Sequence, residues 1–154
     1  MPIRILDHLL DTRNIHYRSY NHPPTFTAQE TAEVLHTTGY EVAKSVVLKV
    51  DHRFVIAVLS ACEQVDLKRF RHQIDARTIR LATEEELESI APLCDRGSIP
   101  PIGNLFGLPV YVSNSLAEDD VISFSAGTHT EDIRMSFDDF AWLVQPQLMN
   151  FTRH

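Results

Sequence analysis

The sequence predicts an α+β fold, a single compact domain over residues 1–154 with a mixed β-sheet wrapped by helices. Three observations lead there. The runs SVVLKV (45–50) and RFVIAVLS (53–60) are separated only by Asp51 and His52, a tight hairpin of β-branched strands at the heart of a sheet. T-x-x-E pairs at Thr27 with Glu30 and at Thr83 with Glu86 announce helix starts. Strands and helices then follow one another without the strict alternation that builds a parallel sheet.

The elements can be justified in chain order. Ile3, Leu6, Leu9 and Leu10 share a helical face, so residues 3–14 form a helix. Residues 15–20 alternate as a short strand, and Asn21 to Pro24 turn the chain. The first T-x-x-E pair opens a helix over Ala28 to His36, stopping near Gly39. After the hairpin, Asp66 caps a helix over 67–74, a strand lies at Thr78–Leu81, and the second capping box opens a helix that Pro92 ends after Ile90. LPVYV (108–112), VISFS (121–125) and EDIRMS (131–136) read as strands, with Gly127 to Thr130 an exposed turn. Ser136 with Asp139 starts a last helix closed by Pro146, and the tail to His154 is expected on the surface.

Composition narrows the function. The 154 residues carry 44% hydrophobic and 23% charged side chains and a net charge of -7, an ordinary globular balance. An acidic chain is a poor non-specific ligand for nucleic acid, so DNA binding is not expected. Recognition of one RNA end by a local basic pocket stays open. No apolar run reaches membrane-spanning length, and MPIRILDHLL is too short and too charged for a secretion signal. Cys62 and Cys94 have no paired-ligand spacing, which fits a reducing cytoplasm. The histidines show no H-E-x-x-H or H-x-x-x-H spacing, so neither a metal nor a cofactor is expected.

The stretch Asp95–Gly107, DRGSIPPIGNLFG, holds three of the five glycines and two of the eight prolines. No period of two or 3.6 runs through it, so it is a shaped loop. Gly97 and Gly103 can take positive φ and leave backbone N–H groups uncovered, while Pro100 and Pro101 stiffen the chain between them. Such a loop either holds a small group against backbone donors or is a rigid structural turn.

Other candidates each have a plainer reading. Lys44, at the mouth of the first core strand, can place a point charge on a carbonyl or phosphate oxygen, although such lysines are more often solvated. Ser45 can donate beside it, but alternation turns neighbouring side chains to opposite faces. His129, in AGTHT, can orient a substrate or carry a proton, or be a surface histidine. His22 is similarly placed. Cys62 and Cys94 are nucleophile candidates, but a small buried hydrophobe is the commoner role. Lys68, Arg69, Arg71, His72, Arg77 and Arg80 form the one positive stretch, an RNA contact or a solvated helix face. Nucleotide-binding loops of the G-x-x-x-x-G-K-[ST] or G-x-G-x-x-G type and the G-x-S-x-G elbow are absent from the sequence.

AKSVVLKV, FVIAVLSACEQVDLKRF, IRLATEEELESI, DRGSIPPIGNLFGLPVYVSNSL and ISFSAGTHTEDIRMSFDDFAWLVQP, in that order, resemble the YbaK/ProX family. These are editing domains related to the insertion domain of bacterial prolyl-tRNA synthetase. The resemblance spans about residues 20 to 146. It implies a mixed-sheet α+β domain that hydrolyses the ester joining a wrong amino acid to the 3′ end of a tRNA. Lys44 falls on the family's lysine, which helps hold the substrate end. Gly97, Ser98, Ile99, Pro100, Pro101, Ile102 and Gly103 fall on the loop bordering the aminoacyl group, and Gly127 and His129 on the GTHT-like segment. Ile102 stands where many relatives carry Phe, Ser45 where some carry Asn, and Ser113–Asn114 replaces a frequent Asp. These departures bear on amino-acid preference more than on the reaction.

The expectation is a freestanding deacylase for a small amino acid on the wrong tRNA. Lys44, Gly97 and Ser98 are placed at the reaction, and Ser45, Ile99 to Gly103, Gly127 and His129 around the substrate. The acidic balance tilts towards tRNA delivery by an aminoacyl-tRNA synthetase or an elongation factor. A binding module without turnover and a thiol enzyme are the alternatives.

Overall fold

The structure is a computed structural model that describes residues 4–24 and 42–153. The helix expected over Ala28 to His36 lies outside the described residues. Helix α1 (Arg4–Thr12) buries Leu6 and Leu10, as its spacing requires, and β1 (Tyr17–Asn21) follows. Strands β2 (Ala43–Val50) and β3 (Arg53–Ser60) pair antiparallel without a break from Ala43↔Ser60 to Val50↔Arg53. Asp51 takes φ 53 in the connecting turn, a conformation that Asp tolerates better than most L-residues. Its Oδ1 accepts from the N–H groups of Arg77 and Thr78, both at 2.9 Å, which ties the hairpin tip to the next strand.

The short β4 (Gln64–Val65) leads into α2 (Leu67–Gln73), where Asp66 accepts from the Arg69 N–H at 3.1 Å as the expected N-cap. After β5 (Ile79–Leu81) comes α3 (Glu84–Ile90), opened by a complete capping box between Thr83 and Glu86. Beyond the central loop lie β6 (Val110–Ser113), β7 (Val121–Thr128), β8 (Glu131–Ser136) and α4 (Phe137–Val144), the last capped by Ser136.

The main sheet has the order β5-β2-β3-β6 and a further edge strand, β9 (Gln147–Met149). β5, β2 and β3 are antiparallel neighbours, whereas β3, β6 and β9 run parallel, so the sheet is mixed. A second, antiparallel sheet has the order β1-β8-β7. A parallel bridge from Val42 to Ser123 joins the two sheets where β2 begins. Side-chain alternation divides the apolar residues into two clusters. One takes Ala43, Val47, Ile56, Val58, Phe124, Ile133 and Met135 with the buried faces of α1 and α4. The other takes Leu48, Val50, Val55 and Leu59 on the opposite face of the main sheet, under Phe70 of α2.

Two expectations need correction. The tail does not lie on the surface: β9 extends the main sheet, β10 (Thr152–Arg153) pairs with β4, and Phe151 is fully buried. Its ring meets Phe70 edge-on at 5.1 Å between centroids, so the tail completes the second cluster. The turn at Gly127 is not open either. β7 continues to Thr128 with a shift of register after Ser125, and Gly127 is buried at φ 98. Among the described residues, no helix is long and apolar enough to cross a membrane.

Candidate functional site

The glycine–proline loop is held against the β7–β8 turn by three hydrogen bonds. The Asp95 N–H donates to the Gly127 carbonyl at 2.9 Å, and the Asp95 carboxylate accepts from the His129 N–H at 3.1 Å. Nε2 of His129 donates to the Arg96 carbonyl. A carbonyl only accepts, so this contact places a proton on Nε2. Between these anchors Gly97 sits at φ 80, a conformation that costs an L-residue about 1–2 kcal/mol.

The turn also decides which backbone donors remain. The Ser98 N–H is occupied by the Asp95 carbonyl at 3.1 Å, and Ser98 itself is buried. It is therefore not an open donor, contrary to the expectation for this residue. The exposed Gly97 N–H has no hydrogen-bond partner among the described residues. Pro100, Pro101 and Ile102 are buried behind it, with Ile102 in the first cluster. Gly103 is required for room: a Cβ there would lie 2.1 Å from the Leu108 carbonyl oxygen and 2.7 Å from a Val110 methyl.

A cleft of about 900 Å³ opens beside this loop, between α3 and His129. Leu87, Ala91 and Ile99 give it an apolar wall, and Glu88, Asp95 and His129 give it polar groups. Arg96 crosses the rim to Glu84 at 3.1 Å, an exposed pair of little energetic weight. Cys94 also lines the cleft, but burial, with Asp95 adding to it, pushes its thiol up to about 11. It is a neutral thiol at physiological pH, which removes the property a thiol nucleophile needs. Cys62 is exposed rather than packed as a small hydrophobe.

Lys44 and Ser45 are not brought into this cleft among its described lining residues. The unbroken β2–β3 register sets Lys44 opposite Leu59, on the face of the second cluster, and Ser45 opposite Val58, on the face of the first. The hydroxyl of Ser45 is buried without a hydrogen-bond partner among the described residues. Lys44 is half-buried, and burial holds its ammonium below the usual lysine range, partly offset by Cys62 and Glu63. Glu63 is anchored in turn by Ser115 at 2.8 Å and Thr152 at 2.6 Å. The Val42–Ser123 bridge and the pairing of Ser125 with Asp132 extend the face of Lys44 across β7 and β8.

Asp132 is a feature the sequence reading missed. It is buried, and its Oδ1 lies 3.2 Å from Nε2 of His22, while Nδ1 of His22 donates to the Pro23 carbonyl at 2.8 Å. Burial raises the Asp132 carboxyl and the His22 contact opposes that shift. His22, read as a surface candidate, is thus a buried partner of Asp132. Neither Asp132 nor Asp95 belongs to a local motif. An acid at the head of a glycine loop gave the only available signal for Asp95, and nothing in EDIRMS marks Asp132 as buried.

A mixed α+β sheet with a glycine loop clamped beside a cleft is the frame, and the family match gives its class. The chain belongs to the aminoacyl-tRNA editing domain family, whose model matches residues 22–143. The family consists of hydrolases of the ester in mischarged aminoacyl-tRNA, so the chain is an aminoacyl-tRNA deacylase by class. Among particular proteins, it is 28% identical over 150 residues to the multifunctional Ser/Thr-tRNA deacylase ProXp-y of Escherichia coli, covering 94% of this chain and 89% of that protein. It is 33% identical over 81 residues to a proline–tRNA ligase of Geobacillus, covering 53% of this chain and 14% of the ligase. A crystal structure of a candidate trans-editing enzyme for prolyl tRNA synthetase superposes with a TM-score of 0.87 at 23% identity, covering 98% of this chain and 96% of that one, which shows the fold.

Proposed function

We propose that this chain is a freestanding trans-editing deacylase that removes a small amino acid from a tRNA charged with it in error. The observation that carries the reading is the Gly97 N–H, which lines the cleft without a hydrogen-bond partner among the described residues, in a loop that three hydrogen bonds hold against the β7–β8 turn. A fixed donor of this kind stabilises the oxyanion that develops when an ester carbonyl is attacked, with no reorganisation at the moment of reaction. Water adds to the carbonyl carbon, the ester C–O bond breaks, and the proton passes to the departing ribose oxygen. An aminoacyl ester is already activated, so positioning and oxyanion stabilisation can carry the reaction without a protein nucleophile. The substrate's own hydroxyl or amine serves to activate the water.

Lys44 has a separate role in this reading. It holds the terminal ribose or phosphate, and its half-buried place at the mouth of β2 suits a point charge on an oxygen. His129 and Gly127 keep the loop in place, and Ile99 limits the volume for the amino-acid side chain, with Ile102 fully buried in the cluster behind it. Ala, Ser and Thr are the side chains of suitable size, and the relationship to a Ser/Thr-tRNA deacylase favours the latter two. Exclusion of a larger residue by contact with the wall discriminates more strongly than rejection of a smaller one, which gains about 1–3 kcal/mol per methylene.

The test is release of labelled amino acid from a panel of mischarged tRNAs by wild type and by Lys44→Ala. The expected result is turnover of one or two small amino acids and a loss of at least about tenfold in the variant, with its fold unchanged by circular dichroism. Near-wild-type turnover by Lys44→Ala would remove the lysine from the site. Absence of release across the panel would remove the reading itself.

A further inference from the structure

Helix α2 is the most basic element among the described ones. Its seven residues, LKRFRHQ, include Lys68, Arg69 and Arg71 and no acid. In α3, EEELESI, the balance is reversed, with four glutamates and no base. None of the three α2 cations has a carboxylate within 4 Å among the described residues. Arg69 donates only to neutral acceptors, the Asn150 side chain at 3.5 Å and the Thr152 carbonyl at 3.4 Å, and Arg71 donates to Nε2 of His72 at 3.2 Å. By contrast, the neighbouring Arg80 is neutralised by a two-point pair with Glu86 at 2.7 and 2.9 Å. Of the six-residue positive stretch of the sequence, Arg80 is thus neutralised, and Lys68, Arg69, Arg71 and His72 gather on one helix. Lys68, Arg69 and His72 line a groove of about 280 Å³ along it, with Gln73 and with the capping Asp66 at its start.

The position of this helix gives the charge a meaning. Phe70 anchors α2 on the face of the main sheet that carries Leu59, and Lys44 projects from that same face, paired with Leu59. The chain enters α2 from the end of β3 at Ser60, which is paired with Ala43, so the start of the helix belongs to the Lys44 end of the sheet. A polyanion laid along α2 is thereby led to Lys44.

We propose that α2 is the docking surface for the phosphate backbone of the tRNA whose 3′ end the site takes. This rests on the deacylase reading for the identity of the RNA. In a chain of net charge -7, a local concentration of positive charge on one helix is where a polyanion is best received. Arginine forks and a lysine ammonium on an exposed helix contact phosphates without reading sequence. The surface therefore positions the substrate and leaves its amino acid to be judged elsewhere.

The experiment is direct binding of uncharged tRNA, followed by fluorescence anisotropy over a range of salt. Wild type is compared with Lys68→Glu/Arg71→Glu and with Arg4→Glu/Arg13→Glu. The second double variant makes the same change in net charge at α1, which covers the first cluster on the other face of the sheet. Arg69 is left in place because it braces the tail. Expected are a loss of affinity of at least about tenfold at 0.1 M salt for the α2 variant, and a log–log salt slope shallower by about 1.5 to 2. The α1 variant is expected within about twofold of wild type. Equal binding by wild type and the α2 variant, equal losses in both variants, or no measurable binding by wild type would overturn the proposal. Thermal unfolding midpoints of the variants separate loss of the surface from loss of the fold. Because uncharged tRNA requires no turnover, a wild type that binds through α2 yet releases no amino acid would sink the deacylase reading and leave this surface standing.

Discussion

At the scale of single residues, the site depends on backbone more than on side chains. Gly97 contributes an N–H and a φ of 80 that only glycine takes without strain. Gly97→Ala is expected to fold, since a strain of about 1–2 kcal/mol is within the stability of a domain of this size. Its kcat for deacylation is expected to fall by about 10- to 100-fold as the donor shifts from its aim. Single-turnover hydrolysis within twofold of wild type would show that this N–H is not the oxyanion donor. Asp95 acts one step back. It holds the loop to Gly127 and His129 through both its backbone and its carboxylate, and its importance follows from what it fixes. The cysteines were open as nucleophiles in the sequence, and the environment of Cys94 decides against it. Desolvation acts on the thiolate and not on the thiol, so the buried group stays protonated and unreactive.

At the scale of elements, α3 is the wall of the cleft and its first turn sets its position. Thr83 and Glu86 exchange hydrogen bonds at 3.2 and 2.8 Å, and Glu86 is also gripped by Arg80 of β5. The Arg80 contact, with the Thr83 N–H, holds the Glu86 carboxyl down at about 2. Its folded pKa is thus below the ordinary value of 4.5, so the folded state gains stability from the ionised form above that pH. The gain is lost as pH falls from 4.5 towards 2. The difference in unfolding midpoint between wild type and Glu86→Gln is expected to be full at neutral pH and to shrink over that acid range. A difference that persists unchanged at pH 2 would refute the assignment. Because the pair is exposed, added salt is expected to weaken it.

The tail gives a second prediction at this scale. Phe151 is fully buried against Phe70, which itself meets Tyr111 at 5.2 Å. Phe151→Ala is expected to cost about 3–5 kcal/mol in urea unfolding, a core-sized loss. A cost under about 1 kcal/mol would mean that the last strands are peripheral. The same strands reach the surroundings of Lys44, because Thr152 holds Glu63 beside it. The terminal residues therefore support the position of the lysine as well as the fold.

At the scale of the whole molecule, the main sheet carries a separate apolar cluster on each face. The first cluster, under α1 and α4, supports the glycine loop and its cleft. The second, under α2 and Phe151, lies on the face from which Lys44 projects. Much of this could be read from the chain alone. The hairpin at Asp51, the caps at Asp66, Thr83 and Ser136 and the loop at Asp95–Gly107 all stand where local chemistry predicts them. Each depends on residues within a few positions of one another, and such signals survive in a linear sequence. The fate of the tail was not legible, since QLM and TR are too short to show a period and became strands only because β6 and β4 offered edges.

The sequence by itself determined the α+β class, the mixed arrangement of strands and helices, the family and the loop character of Asp95–Gly107. Turn chemistry, capping and alternation are local, and they need no tertiary context to act. Only the tertiary structure decided which donors of that loop are spent and which remain, and that His22 meets Asp132 across 110 positions of chain. It also neutralised Arg80 through Glu86 and gathered Lys68, Arg69 and Arg71 on one helix without a carboxylate partner among the described residues. The reason is that burial, pairing and the direction of a hydrogen bond are properties of neighbours in space, and the neighbours that matter here are brought together by strand register and sheet order.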